Sequence, residues 1–480
     1  MFEWNMRASQ QLSRPNIVLI LADDMGYGDF GFVNGQLNST PELDSLASDS
    51  LVFTQHYSAS PVCAPARAAF LTGRYPQRTG VIDTLEARGT DRLSLAEVTL
   101  AAALRASGYR TGLIGKWHTG AIGEAYAPGE RGFEEFVGFR GGWQDYWQWN
   151  LEVQGKRLHP DGRYLTDVLA DESVEFIQRH AGEPFFLHVA FNAPHFPFQA
   201  PSELIGRHRS AAPNEVVATI YAMVEAMDRG VGRIRQALVD AGLSDKTIFL
   251  FTSDNGPDHG GEGVHSAARF NAGLKGAKQY VYDGGIRLPL ILHWPEGVTP
   301  GSTNQFAHFV DWYPTLLGVA GAENPSGLPL DGQDLRPVFT GSKVEYGPRF
   351  WQWTRYQPML ASNAAMRDGR WKLVHPALAG TLDLDPEDER IDAEIKVRPE
   401  LYPEPVNGPP SVRSLPEPGP VQLFDISEDE WERHDVAARY PTVVARMEAE
   451  LNRWFESVEA ERSNTHRGEQ WGGRGDSHEQ

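Results

Sequence analysis

The sequence has a single cysteine, Cys63, among its 480 residues, so no disulfide bond can form within the chain. A lone free cysteine is most often a small buried residue without a chemical role. The other interpretation is that its thiol chemistry is what the protein uses. Composition alone favours the first interpretation and leaves the second open.

The chain also lacks the long apolar run of a membrane helix, which takes about 18 or more consecutive residues. Residues 1–15 are polar, include Glu3 and contain no apolar core of a secretory signal. We therefore expect no membrane association. The protein is expected to be cytoplasmic, or periplasmic or secreted if a leader is missing from this sequence.

Positive charge is scarce, because 44 Lys and Arg residues face 64 Asp and Glu residues and give a formal net charge of -20. This balance argues against non-specific binding to nucleic acid or to anionic membranes. A protein of this charge that binds an anion must build a locally positive site. The oligomeric state is left open.

Apolar runs rich in β-branched residues alternate with stretches of helical periodicity over the first two thirds of the chain. This alternation predicts an α/β fold with a large, mostly parallel central sheet flanked by helices. The predicted strands are 16–22, 184–191, 247–252 and 288–293, and the predicted helices are 95–107 and 214–241.

The pattern changes near residue 345, and we predict a catalytic domain at 15–345, a C-terminal α+β subdomain at 346–462 and a disordered tail at 463–480. Within the subdomain we expect short antiparallel strands at 350–353 and 369–374. A long proline- and acid-rich loop is expected at 377–420, and a terminal amphipathic helix at 442–458.

Two acidic pairs follow predicted strands: Asp23 and Asp24 after the first, and Asp254 and Asn255 after another. Taken singly, each pair is as compatible with a helix cap or a strand-end turn. Ligands of open α/β sheets bind at the carboxyl ends of the strands, so the two pairs are expected to share one site. Oxygen ligands without histidine or thiolate suit Ca²⁺ or Mg²⁺ better than zinc.

Cys63 precedes a predicted helix that contains Pro65 and Arg67. Proline fits the first turn of a helix, where free N–H groups and the dipole favour an anion. The guanidinium of Arg67, one turn further on, can reach the same anion.

These segments resemble type I formylglycine-dependent sulfatases of the alkaline phosphatase-like superfamily. C-A-P-A-R at 63–67 followed by L-T-G-R at 71–74 is similar to the family's modification segment, although Ala66 stands where serine is common. Four further segments resemble family motifs in the family's order: L-A-D-D-M-G at 21–26, G-K-W-H at 115–118, T-S-D-N-G at 252–256, and Lys278 before D-G-G-I-R-L-P at 283–289. In the last, aspartate replaces the family's glutamate.

The resemblance implies a nucleophile made after translation. A formylglycine-generating enzyme would oxidise Cys63 to formylglycine (3-oxoalanine), whose hydrate attacks sulfur. It also implies a bound Ca²⁺, with Mg²⁺ as the alternative. The ligands would be Asp23, Asp24, Cys63, Asp254 and Asn255.

The resemblance also assigns roles to cationic and basic residues. Arg67, Lys116 and Lys278 would surround the sulfate. His118 would take the proton that lets sulfate leave, and His195 beside Lys278 would serve the leaving alcohol. Lys275 is a nearby lysine that lacks the family's spacing to Asp283.

Other aromatic and histidine residues are weaker candidates. His259 and His265 are possible substrate contacts, whereas His180 and His208 are expected at the surface. The aromatic group Trp143, Tyr146, Trp147 and Trp149 suits either sugar stacking or, more often, core packing. A second group, Trp351, Trp353 and Tyr356, could form another pocket wall.

The sequence therefore predicts a sulfatase that acts on a sulfated small molecule or saccharide. The alternatives are a formylglycine-dependent phosphonate monoester or phosphodiester hydrolase, and a non-catalytic protein that binds sulfated glycans.

Overall fold

The computed structural model describes residues 14–35, 37–259, 263–406 and 414–465. The strands in these ranges are β1 (Asn16–Ala22), β2 (Leu51–Phe53), β3 (His56–Tyr57), β4 (Arg110–Lys116), β5 (Glu135–Phe139), β6 (Leu151–Val153), β7 (Lys156–Leu158), β8 (Phe185–Ala190), β9 (Thr247–Ser253), β10 (Leu290–His293), β11 (Gly301–Thr303), β12 (Ala307–His308), β13 (Arg349–Gln352), β14 (Ala364–Asp368), β15 (Trp371–His375) and β16 (Gln422–Asp425).

The α-helices in the same ranges are α1 (Gly31–Asn34), α2 (Pro41–Ser48), α3 (Cys63–Thr72), α4 (Pro76–Thr79), α5 (Leu100–Ala106), α6 (Leu165–Arg179), α7 (Ser202–His208), α8 (Glu215–Asp240), α9 (Asp283–Ile286), α10 (Trp312–Ala320), α11 (Arg336–Phe339), α12 (Pro386–Val397) and α13 (Pro441–Thr465). Among the helices of the described ranges, none has the length and apolar content needed to cross a membrane.

A ten-stranded mixed sheet forms the centre of the molecule, in the order β11-β2-β10-β9-β1-β8-β4-β5-β6-β7. The strands from β9 to β5 in this order are mutually parallel, whereas β10 and the β6–β7 hairpin run antiparallel to their neighbours. The predicted α/β class with a mostly parallel sheet is confirmed.

Strand β1 shows why the sheet is covered on both faces. All its residues are buried, and alternate side chains enter two different cores. Val18 and Ile20 pack with α6 and α8, while Ile17 and Leu19 pack with α3, α5 and α10. A continuous apolar run is therefore what a parallel strand between two helical layers requires.

The C-terminal part forms a four-stranded antiparallel sheet, β13-β14-β15-β16, with α13 packed on it. A buried ion cluster holds this sheet to the main body. Lys372 of β15 lies 2.6 Å from Asp283 at the start of α9 and 2.8 Å from Glu432. The smaller C-terminal subdomain is confirmed as a fold element, and its limits at 346–462 stay a prediction.

Three predicted elements need correction. The helix at 95–107 is shorter, because α5 begins only at Leu100, after Thr99 caps its first turn. The stretch 377–420 is not only loop, since it contains α12, whose cap is Asp385. The terminal helix extends through Thr465, and the predicted tail beyond it lies outside the described residues.

Candidate active site

The acidic pairs lie at one edge of the sheet, as their positions after two strands predict. β1 pairs with β9 on one side and with β8 on the other, so Asp23 and Asp24 lie beside Asp254 and Asn255. The backbone N–H of Asp24 donates to Oδ1 of Asp254 at 3.2 Å. Nδ2 of Asn255 donates to Oδ1 of Asp24 at 2.7 Å.

This cluster has the donor set of a hard cation site. One ligand atom each from Asp23, Cys63 and Asp254 lies within 4.8 Å of the others, as does a second set of Asp23, Asp24 and His195. Oδ1 of Asp23 and Oδ1 of Asn255 are buried and accept no hydrogen bond from the described residues. Buried oxygens that lack a donor fit a divalent cation such as Ca²⁺.

Cys63 is the first residue of α3, after Val62 at the N-cap. The sequence starts a helix here because Pro65 suits the first turn, and Gly73 ends it in the left-handed conformation. Burial raises the pKa of the Cys63 thiol, and the nearby Lys116 and Lys278 only partly oppose that effect. The unmodified residue is thus a thiol in a closed site.

Three cations surround the acidic cluster. Arg67 donates to Oδ2 of Asp254 from Nε at 3.0 Å and from Nη2 at 2.7 Å. The ammonium of Lys116 lies 2.6 Å from Asp23, and that of Lys278 lies 2.8 Å from Asp24. These contacts cancel the carboxylate charge, so a bound divalent cation would leave the site positive for an anion.

The carboxylates differ in their proton affinity. Burial raises the pKa of Asp23 well above its ordinary value, because desolvation and the neighbouring Asp254 and Asp24 outweigh Lys116. Burial also acts on Asp24, yet Lys278 and His195 lower its pKa. The pKa of Asp254 is also lowered, because Arg67 and Lys116 outweigh the effect of burial.

Two histidines border the cluster. His118 follows β4 with a φ of 52°, and its Nε2 lies 3.2 Å from the carbonyl oxygen of Thr84. His195 follows β8, and its Nε2 lies 3.6 Å from Oδ2 of Asp24. Burial, assisted by Lys278, lowers the pKa of His195 to about 4. The structure therefore brings all the sequence-predicted site residues to the acidic cluster or its border.

Lys275, the neighbouring lysine, has a different environment. Its ammonium lies 4.2 Å from the centre of the Tyr282 ring and 4.8 Å from that of Phe424. It thus packs against the C-terminal sheet, away from the acidic cluster.

Sequence reasoning missed several residues next to the site. Asp258 lies 3.4 Å from Lys278, and Arg269 supports the turn at Asp24 by donating to its carbonyl oxygen at 3.0 Å. Asp258 lies only four residues after Asp254, so its closeness along the chain to a predicted metal ligand was the available signal. Glu86, 3.8 Å from His118, and Lys396, which contacts Glu86, gave no local signal because they meet only in the fold.

The weaker candidates divide. His208 is buried and paired with Glu225 at 2.8 Å, so its predicted surface position is wrong. His180 is partly buried and contacts Glu135. His259 is partly buried, with its Nε2 buried and without a hydrogen-bond partner among the described residues. The side chain of His265 lies outside the described residues.

The aromatic groups are mostly structural. Tyr146 and Trp149 are fully buried, which confirms the core-packing interpretation for these two. Trp351 and Trp353 are also buried and form no exposed wall. Trp143 is partly exposed, and its ring lies 6.3 Å from that of Phe196, the residue after His195. Trp147 and Tyr356 are also partly buried.

Comparison with known proteins decides the family. The family model described as sulfatase matches residues 15–322. The chain belongs to the sulfatase family. A second model, described as N-sulphoglucosamine sulphohydrolase, C-terminal, matches residues 276–381. This sulfatase is a sulfuric ester hydrolase by family.

Individual relatives cover most of its length. Arylsulfatase A of Bos taurus is 32% identical over 458 residues, which cover 88% of this chain and 83% of that protein. N-acetylgalactosamine-6-sulfatase of Homo sapiens is 32% identical over 381 residues, which cover 72% of this chain and 70% of that protein.

Solved structures share the fold of this sulfatase. The crystal structure of Ps i-CgsB in complex with k-i-k-neocarrahexaose is 31% identical, with a TM-score of 0.77 and coverage of 92% and 93%. Phosphonate monoester hydrolase SpPMH from Silicibacter pomeroyi has a TM-score of 0.64 at 21% identity, with coverage of 92% and 96%. The last likeness shows the fold alone.

Proposed function

We propose that this sulfatase hydrolyses a sulfate ester with residue 63 as the nucleophile, after a separate modifying enzyme has converted Cys63 to formylglycine. The observation that carries the proposal is the convergence of Cys63 with an oxygen-ligand cluster and three buried cations. Once modified and hydrated, residue 63 supplies the oxygen that attacks sulfur.

Asp23, Asp24, Asp254 and Asn255 would hold a Ca²⁺ ion, and residue 63 would complete the set. The support is the oxygen-rich donor set and the buried Oδ1 atoms of Asp23 and Asn255, which accept no hydrogen bond from described residues. When bound, such a cation polarises a sulfate oxygen as a Lewis acid.

Arg67, Lys116 and Lys278 orient the substrate's sulfate group and stabilise the negative charge that grows on its oxygens. Their present partners are the carboxylates of Asp254, Asp23 and Asp24, which keep the cations in place inside the protein. Burial alone would lower the pKa of Lys278, but Asp24 and Asp258 raise it well above its ordinary value. Lys278 therefore keeps its proton and acts through its charge.

The two histidines serve the two departing groups. His195 lies beside Lys278 at Asp24, and because its lowered pKa keeps the imidazole neutral, it would stabilise the leaving alcohol oxygen rather than protonate it. His118 would accept the proton that is lost when sulfate is released. Burial lowers the pKa of His118 well below its ordinary value, so it is a neutral base at neutral pH.

A sulfated carbohydrate is the proposed substrate class. The support is the similarity of this chain to an N-acetylgalactosamine-6-sulfatase and to a protein solved in complex with k-i-k-neocarrahexaose. Release of inorganic sulfate from a panel of sulfated mono- and oligosaccharides tests this. Turnover of aryl sulfates without release from any saccharide would contradict the carbohydrate assignment.

The competing function is hydrolysis of phosphonate monoesters or phosphodiesters. Purified protein with residue 63 modified should be given aryl sulfate and aryl phosphodiester substrates with the same leaving group. The proposal predicts a higher kcat/KM for the sulfate. Much faster turnover of the phosphodiester would favour the competing function instead.

A further inference from the structure

The imidazole of His118 has different surroundings at its two nitrogens. Nε2 faces two acceptors, the carbonyl oxygen of Thr84 at 3.2 Å and Oε1 of Glu86 at 3.8 Å. Nδ1 is buried and has no hydrogen-bond partner among the described residues. A neutral imidazole carries one N–H, and two neighbouring acceptors favour that hydrogen on Nε2.

Glu86 is itself tightly held. Its side chain is fully buried, and Oε1 accepts from the backbone N–H of Gly142 at 2.6 Å and from Lys396 at 2.8 Å. Both donors point at the oxygen that faces His118, so this oxygen serves as an acceptor. Asp392 and Asp91 are further charged groups near Glu86.

Lys396 comes from α12, the helix inside the stretch that the sequence predicts as loop. Ile391 and Ile395 of this helix pack against Leu85 and Ala87, which flank Glu86. Asp392, one turn before Lys396, lies 2.6 Å from its ammonium. The helix therefore delivers one cation to the turn that carries Glu86.

The ring of His118 has little room to turn. A Cβ on Gly142 would lie 2.8 Å from Cε1 and 2.9 Å from Nε2 of His118. The absence of a side chain at Gly142 lets its backbone pass directly against the ring. A flip of the ring would exchange Nε2 with Cε1 and so take the N–H away from the two acceptors.

We propose that Glu86 and Lys396 are a positioning pair that keeps the proton of His118 on Nε2, so that Nδ1 is the atom that accepts a proton during turnover. The inference rests on the proposed role of His118 as the base. It adds the acceptor atom, the carboxylate that selects it and the helix that holds that carboxylate.

Burial and the surrounding charges act on both groups. Burial raises the pKa of Glu86 to about 7, although Lys396 opposes the rise. Burial lowers the pKa of His118, and the cations Lys116, Lys396 and Arg67 lower it further. The imidazole is thus neutral before it acts, which is the state in which one nitrogen must be selected.

The direct test is the tautomer of His118 in the intact chain, read from the ¹⁵N shifts of the two ring nitrogens. Histidine-labelled protein has 15 histidines, and a His118→Gln variant identifies the signal. We expect a protonated Nε2 and a bare Nδ1 in the parent protein. Glu86→Gln should give a mixture of tautomers, because the new amide can donate to Nε2. A proton on Nδ1 in the parent, or an unchanged tautomer in Glu86→Gln, would overturn the proposal.

Kinetics give a second reading. Glu86→Gln should lower kcat by about 10- to 100-fold with KM unchanged, and should shift the acid limb of the pH profile. Glu97→Gln is the matched control, because Glu97 is also buried and paired with a cation, Arg74 at 3.0 Å, and should keep kcat. Equal losses in the two variants would indicate a merely structural effect and contradict the proposal.

Lys396 is tested by Lys396→Met and Lys396→Arg, with the melting temperature of each recorded. We expect Met to lower kcat and alter the tautomer, and Arg to restore both. Failure of Arg to restore either, in a variant that melts like the parent, would contradict the pairing. If the parent protein hydrolyses no sulfate ester, the proposed function fails, whereas the tautomer measurement still decides the positioning pair.

Discussion

Arg67 places two hydrogen bonds on a single oxygen of Asp254, from Nε at 3.0 Å and from Nη2 at 2.7 Å. Both side chains are buried. Because Arg67 lies one turn after Cys63 on α3 and Asp254 directly follows β9, this pair fixes the helix start relative to the sheet edge. The same contact thus aligns the proposed nucleophile with the proposed metal ligands.

Replacing Arg67 separates stability from activity. Arg67→Ala leaves the Asp254 carboxylate buried without its main partner and should cost about 3–5 kcal/mol of unfolding free energy. Arg67→Lys keeps the positive charge but loses the planar guanidinium with its paired N–H donors. Its free energy of unfolding should therefore be closer to that of the parent, whereas its kcat/KM should fall. Urea unfolding and aryl sulfate kinetics check both. The control is Arg349→Ala, which breaks a buried pair with Asp311 elsewhere and should lose stability without losing kcat/KM. Full activity in Arg67→Lys would contradict a specific role for the guanidinium group.

Removal of the metal should abolish hydrolysis, and Ca²⁺ should restore it. An activity-independent reading is the melting temperature, since a ligand that binds only the folded state raises it with concentration. We expect Ca²⁺ to raise the melting temperature of chelator-treated protein. Asp24→Ala, which removes a proposed ligand, should show a much weaker response. A parent protein whose melting temperature and activity ignore Ca²⁺ would refute the ligand assignment.

Acid should destabilise the fold partly through His56. Nε2 of this buried histidine accepts a hydrogen bond from Nε1 of Trp312 at 3.0 Å, and burial lowers its pKa to about 3. In the unfolded state the pKa of His56 is near 6.5, so below that pH the unfolded chain binds a proton that the folded protein does not. The contribution of His56 to the free energy of unfolding is therefore complete above pH 6.5 and is lost as the pH falls towards 3. At pH 5 the loss from this group is about 2 kcal/mol.

Urea unfolding at pH 7.5 and at pH 5 measures this effect. His56→Gln should show a smaller difference between the two pH values than the parent, although it is less stable at both. His159→Gln, at an exposed position, is the control and should match the parent. An equal pH difference in the parent and His56→Gln would show that His56 does not couple folding to acid.

Much of the fold was visible in the sequence because local signals agreed with tertiary burial. The run at 16–22 becomes β1 with the same limits, and the helix predicted at 214–241 is α8, capped by Asn214. The α12 helix was missed although Asp385, Pro386 and the acidic residues after them are signals of a helix start. The surrounding prolines and charges concealed those signals.

The site was also predictable in part. Residues that belong to short motifs, such as Cys63 and Asp254, could be selected because each motif is local in sequence. Glu86 and Lys396 could not, since their contact joins positions more than 300 residues apart and depends on how α12 packs. Contacts of this kind come from the packing of elements, which no local pattern records.

The chemical state of residue 63 decides whether this sulfatase has the proposed nucleophile. A mass spectrum of the peptide that holds Cys63, from active protein made in its own host, should show loss of sulfur and two hydrogens and gain of one oxygen, as conversion of the thiol to the aldehyde requires. Cys63→Ala protein should fold like the parent and hydrolyse no sulfate ester. A preparation that hydrolyses sulfate esters while its peptide carries only the unmodified thiol would contradict the formylglycine mechanism.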